Sequence, residues 1–202
     1  MDQDRETMRE GALQAVGDKL LADLACLRGD IASCSLCPGG GRGFPGVGSV
    51  GAELYLLAGR PGPGAKPENP WGDWWNALGA KIRRKWGWGA EEVYIATALR
   101  CRLSRNTRVD IRRCAPYLAE EILIVGPRLV LACGRAAAVA LREALGQAIP
   151  EEPRAGDVCS FFSTRFLFQF DVSRLAKEPE LEEPFWRIME RCDGLLRGKE
   201  SS

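Results

Sequence analysis

The chain has 202 residues, of which 46% are hydrophobic, so it is long enough to bury the core of one compact domain. Its 28 basic and 27 acidic residues leave a formal net charge of +1, which excludes a global basic field. No segment has the length and apolar character of a membrane span or a secretory leader, so we expect a cytoplasmic protein with no membrane partner.

The first predicted element is a helix over residues 1–30. Leu20, Leu24 and Leu27 recur there at helical spacing and indicate one buried face. Cys26 lies beside this face, and we expect it to be a small buried thiol.

Strands and helices alternate along the rest of the chain. This alternation predicts an α/β fold, a three-layer α/β/α sandwich around a central, mostly parallel four-stranded sheet. We expect the helix of residues 1–30 to precede one domain over residues 31–197, and residues 198–202 to form a disordered tail. The predicted strands cover residues 53–59, 92–99, 128–133 and 158–171, and the helices cover residues 73–86, 107–125, 135–145 and 184–196.

Four of the eight cysteines are candidates for one metal centre. Cys34 and Cys37 form a C-x-x-C pair, and Cys101 and Cys114 follow later in the chain. Such a pair is typical of a redox site, a zinc half-site or an iron–sulfur half-site. The redox interpretation is disfavoured because a helix precedes the pair and a loop follows it. A structural pair of thiols without metal stays open as an alternative. The chain has no histidine, which excludes a Cys2His2 zinc site and the commonest general acid–base side chain.

Arginines are concentrated around the last two of these cysteines. They predict a cationic surface beside the metal centre, which would contact nucleic-acid phosphates and make binding strongly salt-dependent. The predicted phosphate contacts are Arg100, Arg102, Arg105 and Arg108.

A glycine- and proline-rich loop follows the first predicted strand, from Gly59 to Gly64. Ligand sites in parallel sheets form at the carboxyl ends of strands, although an ordinary turn explains the composition equally well. Helical spacing favours core positions for Trp74 and Trp75. Trp71 lies in the preceding loop and is the better candidate for stacking on a base.

Several of these segments together resemble the family 4 uracil-DNA glycosylases, the iron–sulfur branch of their superfamily. The resemblance covers roughly residues 30–190. It is carried by the C-x-x-C pair, by Glu91–Arg102, by Cys114-Ala-Pro-Tyr-Leu and by Pro127–Arg135. It implies a uracil-DNA glycosylase-like fold and DNA, single- or double-stranded, as partner of a monomer. It also implies a 4Fe-4S cluster held by Cys34, Cys37, Cys101 and Cys114, with zinc as the alternative.

The catalytic motifs of that family are substituted in this chain. Arg60 stands where the family has the acid of Gly-Glu-x-Pro-Gly, Thr97 where it has a uracil-reading asparagine, and Asp171 where it has the histidine of His-Pro. Trp71 resembles the family's stacking aromatic. The resemblance therefore implies a base-binding set of Trp71 with the loop glycines Gly59, Gly62 and Gly64.

Three hypotheses follow from a chain that resembles the family in its fold segments but has substituted catalytic motifs. The first is a DNA-repair protein that binds DNA and hydrolyses the N-glycosidic bond of an extruded, damaged base, uracil or another deaminated base. In it Asp171 stabilises charge or polarises water, while Arg60 donates to the leaving base. The alternative is a non-catalytic iron–sulfur module that binds DNA or RNA. A zinc-pinned structural protein is a third possibility.

Overall fold

A single five-stranded sheet organises the molecule. The structure is a computed structural model and describes residues 2–38, 41–102 and 107–198. The sheet order is β2-β1-β3-β5-β4; the first four of these strands run parallel, and β4 pairs antiparallel with β5. The strands are β1 (Leu54–Ala58), β2 (Val93–Thr97), β3 (Leu129–Cys133), β4 (Val158–Phe161) and β5 (Thr164–Gln169).

Helices cover both faces of the sheet, which confirms the predicted α/β class. They are α1 (Asp2–Ser33), α2 (Asp73–Trp86), α3 (Arg108–Val125), α4 (Arg135–Leu145) and α5 (Glu182–Leu196). Alternate strand residues point to opposite faces. One set packs with α1, α3 and α4, and the other set packs with α2 and α5.

The strand count exceeds the prediction by one. The segment over residues 158–171 forms a hairpin, whose first strand is the antiparallel edge strand β4. Phe162 lies in the turn with φ of 52° and is 90% exposed. Because β5 alone joins the parallel part of the sheet, the parallel core still has the four predicted strands.

Helix α3 begins at a capping box. The Thr107 hydroxyl accepts from the backbone N–H of Asp110 at 3.2 Å, and the Asp110 carboxylate accepts from the Thr107 backbone N–H at 3.1 Å. The helix continues as one element through Pro116, so the restart that a proline often causes does not occur. It ends at Gly126, which adopts a left-handed conformation.

Helix α1 has two unlike halves. Leu24, Leu27 and Ile31 near its end are buried in the main core. Leu13 and Val16 in its first half are exposed, and so is Cys26, which corrects the expectation of a buried thiol.

The segment after α1 closes one edge of the sheet. Arg28 of α1 donates to the carbonyl of Gly46 at 3.0 Å and to that of Gly48 at 2.7 Å. Val47 between them forms an antiparallel bridge to Ile95 of the outer strand β2. The backbone of β2 is therefore partly covered on its open side. None of the helices within the described residues combines the length and the apolar character that a bilayer crossing needs.

Candidate active site and thiol pocket

The loops after the parallel strands meet at one edge of the sheet. The backbone N–H of Leu99, after β2, donates to the carbonyl of Gly59, after β1, at 3.1 Å. The N–H of Gly134, after β3, donates to the carbonyl of Gln169 at the end of β5, at 2.9 Å. The sheet therefore assembles four loops at its carboxyl edge, where the sequence predicted a ligand site.

The loop over residues 59–72 requires glycine at two close approaches. A Cβ on Gly62 would lie 2.0 Å from the carbonyl oxygen of Trp71. A Cβ on Gly72 would lie 2.0 Å from that of Pro63, and Gly72 has φ of +54°. These contacts fold the loop tightly against its own end.

Trp71 is more buried than a stacking residue would be, whereas Trp74 and Trp75 pack against the core as expected. Trp71 is 1% exposed, and its indole N–H donates to the carbonyl of Ala96 at 2.8 Å, so its ring packs in the core. Trp75 packs edge-on against it, with ring centroids 6.4 Å apart. Trp74 is half-buried and lines a surface groove. The stacking role of Trp71 stays a prediction.

The three predicted catalytic residues lie at this edge in three different environments. Thr97 is fully buried, and its hydroxyl donates to the carbonyl of Leu99 at 2.8 Å. Asp171 is half-buried, and its carboxylate accepts from the backbone N–H of Ser173 at 2.9 Å. Arg60 is exposed. Their catalytic roles stay predictions.

Asp171 packs against the turn after β3. A Cβ on Gly134, which has φ of +89°, would lie 2.8 Å from the Cβ of Asp171. The adjacent Cys133 is buried, and this burial raises the pKa of its thiol, as does the negative charge of Asp171. Asp171, which follows β5 in the chain, therefore packs closely against Gly134 in the turn after β3.

A groove of about 280 Å³ runs beside the glycine-rich loop. Arg60 and Arg102 line it together with Trp74 and Cys101. Arg102 donates to the carbonyl of Ala65 at 3.2 Å. The groove therefore joins two exposed guanidinium groups, an aromatic ring and the edge of the cysteine site.

The four predicted metal ligands line one pocket, which we call the thiol pocket. Its lining includes Cys34, Cys37, Cys101 and Cys114. Burial and the neighbouring thiols raise the pKa of Cys101 to about 12. Burial also raises the pKa of Cys114, although a hydrogen bond from the Arg100 backbone and the Arg100 charge oppose it.

The chemistry of this donor set suits a cationic metal centre. Metals bind thiolates, and a metal's positive charge favours the deprotonated form that burial disfavours here. Within residues 2–38, 41–102 and 107–198, no three His, Cys, Asp or Glu side chains converge closely enough to enclose a single metal ion. The four thiols thus line one shared pocket.

Arg100 does not lie on the predicted DNA-binding surface, which corrects that part of the prediction. It is 1% exposed, and its Nη2 donates to Glu121 at 2.7 Å. Glu121 is fully buried and also accepts from the hydroxyls of Tyr55 and Tyr94 and from the backbone N–H of Gly46. Glu121 raises the pKa of Arg100 above its ordinary value, and burial opposes this effect.

The remaining predicted phosphate contacts differ in accessibility. Arg108 is exposed but donates to Glu143 at 2.8 Å, and Arg112 donates to the same carboxylate at 2.9 Å. These two arginines lower the pKa of Glu143 through their hydrogen bonds. Arg102 carries no such ion pair within the described residues. Arg105 lies outside those residues.

Glu121 and its two tyrosines were missing from the sequence-based site. Glu121 follows Cys114 and Leu118 at helical spacing and lies next to Ile122, so it falls on the buried stripe of α3. A charged residue on such a stripe indicates a buried partner, because an unpaired charge there is costly. That pattern was available in the sequence.

Comparison with known proteins yields one family and two named relatives. The family model described as the uracil DNA glycosylase superfamily matches residues 47–190. A type-4 uracil-DNA glycosylase of Pyrobaculum aerophilum is 28% identical over 145 residues, which cover 67% of this chain and 71% of that protein. One of Archaeoglobus fulgidus is 29% identical over 101 residues, covering 46% of this chain and 49% of that protein.

Proposed function

Because the chain belongs to the uracil-DNA glycosylase superfamily, we propose that it binds DNA and hydrolyses the N-glycosidic bond of an extruded, damaged base. The observation that carries this proposal is the superfamily match over residues 47–190, which includes all four loops at the carboxyl edge of the sheet. The names of the two relatives support uracil as the damaged base, and another deaminated base is the alternative within this proposal.

The reaction sets the requirements for this edge. The bond from the sugar to the base breaks, water adds hydroxide to the sugar carbon, and the base leaves with a proton. Positive charge develops on the sugar and negative charge on the departing base. A carboxylate near the sugar stabilises the first, and hydrogen-bond donors near the base stabilise the second.

Asp171 is the carboxylate that we assign to the sugar. Its position after β5 corresponds to the site where the sheet presents loop residues to a ligand. The hydrogen bond from Ser173 and the packing against Gly134 fix its orientation. Arg60, which cannot act as a base, is the donor to the leaving base. Thr97 supports the site by fixing the backbone at Leu99.

The groove lined by Arg60, Arg102 and Trp74 is the proposed path of the DNA strand. Guanidinium groups pair with phosphates, and the accessible part of an aromatic ring such as Trp74 stacks on unpaired bases. Both chemistries occur side by side in this groove.

Cys34, Cys37, Cys101 and Cys114 are the residues that would hold an iron–sulfur cluster, with zinc as the alternative. A bound cluster would cross-link α1's end, the segment after β2 and α3, and so stabilise the region that carries Arg102. No bond-breaking step passes through it. Metal analysis after purification without oxygen tests this assignment: we expect iron and acid-labile sulfide with broad visible absorption. Zinc alone would refute the cluster. Iron should be lost in Cys101→Ser and kept in Cys159→Ser, whose thiol lies outside the thiol pocket.

Activity is tested with oligonucleotides that carry uracil or hypoxanthine, followed by alkaline cleavage of abasic sites. We expect strand breaks with the unaltered protein and a loss of about 10²–10³ in rate for Asp171→Asn. The asparagine oxygen can still accept from Ser173, so folding should persist. Asp18→Asn, on the exposed part of α1, is the matched control. Equal rates for both variants would remove Asp171 from the reaction.

A non-catalytic DNA- or RNA-binding module is the second candidate function. Its support is that the Thr97 hydroxyl is already engaged, the Trp71 ring is buried and a cation stands at Arg60. Retained oligonucleotide binding without strand breaks on any damaged base would establish it. Absence of binding would refute both candidates.

A further inference from the structure

The side chain of Arg100 contains two buried hydrogen-bond donors without a partner among the described residues. Its Nη2 is satisfied by Glu121, whereas Nε and Nη1 are inaccessible and make no hydrogen bond to any residue that the structure describes. Leaving such charged donors unpaired is costly, and buried polar groups almost always have a partner. Two unpartnered donor nitrogens on one fully buried guanidinium therefore point to a partner that the described residues do not supply.

The location of Arg100 limits what that partner can be. The residue lines the thiol pocket together with the four cysteines. It directly precedes Cys101 in the chain. A partner in this pocket must be an acceptor, must suit a fixed positive charge, and must lie against four thiolates.

We propose that Arg100 contacts the cluster directly, donating a hydrogen bond from one of its unpartnered nitrogens, Nε or Nη1, to cluster sulfur. The inference rests on the iron–sulfur cluster proposed above. Sulfide and thiolate sulfurs in such clusters carry negative charge and accept N–H hydrogen bonds, which tune the reduction potential. Glu121 holds the guanidinium through Nη2, and Tyr55 and Tyr94 in turn orient Glu121. Arg100 is thus a fifth protein residue of the cluster site.

The contact has a measurable electrostatic consequence. Adding an electron makes the cluster sulfurs more negative, so hydrogen bonds and positive charge stabilise the reduced form more than the oxidised form. Arg100→Lys keeps the charge beside Glu121 but lacks the planar set of donors. We expect the reduced-to-oxidised ratio at a fixed potential to fall about tenfold or more, which is about 59 mV for a one-electron couple.

Two control variants separate this contact from general damage to the pocket. Arg113→Lys changes another arginine that lines the thiol pocket but is exposed and paired with Asp110 at 3.5 Å. Tyr55→Phe removes one hydrogen bond to Glu121 and leaves Arg100 intact. Potentials are measured by spectroscopic redox titration. A potential in Arg100→Lys equal to that of Arg113→Lys overturns the proposal, and so does an equal fall in Tyr55→Phe.

A second measurement uses the unaltered protein, in case Arg100→Lys does not fold. Protein labelled with ¹⁵N only in the guanidino nitrogens of arginine is reduced and examined by pulsed EPR. We expect a ¹⁵N coupling to the cluster that persists in labelled Arg113→Lys. Its absence overturns the contact while leaving the cluster in place, whereas a protein without iron overturns both proposals.

Discussion

The carboxylate of Glu121 joins four polar groups inside the core. Arg100, Tyr55, Tyr94 and the backbone of Gly46 all donate to it. Burying a charge is favourable only when it is paired and its lone pairs are satisfied, and here both conditions are met. The side chain thereby connects α3, β1, β2 and the segment after α1.

We expect Glu121→Gln to destabilise the protein by about 3–5 kcal/mol, the usual cost of removing one partner of a buried ion pair. The variant leaves the Arg100 charge without its counter-charge in the core. Urea unfolding measures the change, and the exposed neighbour Glu120→Gln is the control. Equal midpoints for the two variants would show that the pair contributes little.

Single residues show what a sequence can and cannot predict about this site. The C-x-x-C pair of Cys34 and Cys37, together with the family resemblance of the segments around Cys101 and Cys114, selected four of the eight cysteines, and these four line one pocket. The role of Arg100 was predicted wrongly, because its burial depends on Glu121, which lies 21 positions away. A run of arginines shows how many charges are present, but their partners are determined by the fold.

The start of α3 gives a prediction for a whole element. Hydrogen bonds from the Thr107 hydroxyl and backbone hold the pKa of the Asp110 carboxyl below its ordinary value. We expect Thr107→Ala to cost about 1 kcal/mol at neutral pH. Urea unfolding measures the loss, and Ser49→Ala, at an exposed position outside any helix, is the control. No loss would show that α3 does not depend on its cap.

The same capping box should depend on pH. A carboxyl with a lowered folded-state pKa contributes stability that is complete above its unfolded pKa of about 3.9 and disappears as pH falls through the folded-state value. The difference between the unaltered protein and Asp110→Asn should therefore shrink when urea unfolding is moved from neutral pH to below about pH 4. A difference that grows on acidification would contradict the assignment.

The loop over residues 59–72 gives a second prediction at this scale. Gly72→Ala places a Cβ 2.0 Å from the Pro63 carbonyl in a left-handed backbone. We expect it to cost more than about 1 kcal/mol and to weaken DNA binding. Gly87→Ala is the matched control, since Gly87 has a similar φ of +75° with open space around it. Equal melting temperatures would show that the loop relaxes without loss.

Elements were predicted well where local features of the sequence determine them. Helix α2 has the predicted bounds, residues 73–86, because its apolar face and its terminal Gly87 are both local features. The first half of α1 was predicted less well. Its leucines have helical spacing, but no other element packs on Leu13 or Val16 within the described residues. Helical periodicity predicts which residues share an apolar face, but that face is buried only where another element packs on it.

At the scale of the whole molecule, the near-neutral net charge makes DNA binding depend on the groove of Arg60 and Arg102. We expect Arg102→Ala to weaken binding similarly for all sequences and to lower the slope of log affinity against log salt by about 1. Arg187→Ala on α5, where the arginine pairs with Glu183, is the control. Fluorescence anisotropy over a salt series measures both. An unchanged slope in Arg102→Ala would remove the groove from the DNA path.

The overall fold was predictable because alternating strands and helices allow few arrangements. The sequence did not predict the antiparallel hairpin, because residues 158–171 have the composition of one long strand or of two short ones. The groove beside Arg60 could not be predicted from the sequence either, because it forms only where the loop after β1 meets Cys101 and Trp74.

The two edge strands of the sheet, β2 and β4, differ in how accessible their backbones are to pairing with another molecule. The bridge from Val47 shields β2, whereas β4 has a sheet partner on one side only. Outer strands with free backbone groups are templates for aggregation, and a short strand limits this hazard. Since β4 has four residues, intermolecular pairing has little length to extend along, and Phe162 at the hairpin tip is the apolar contact that colliding molecules would meet there.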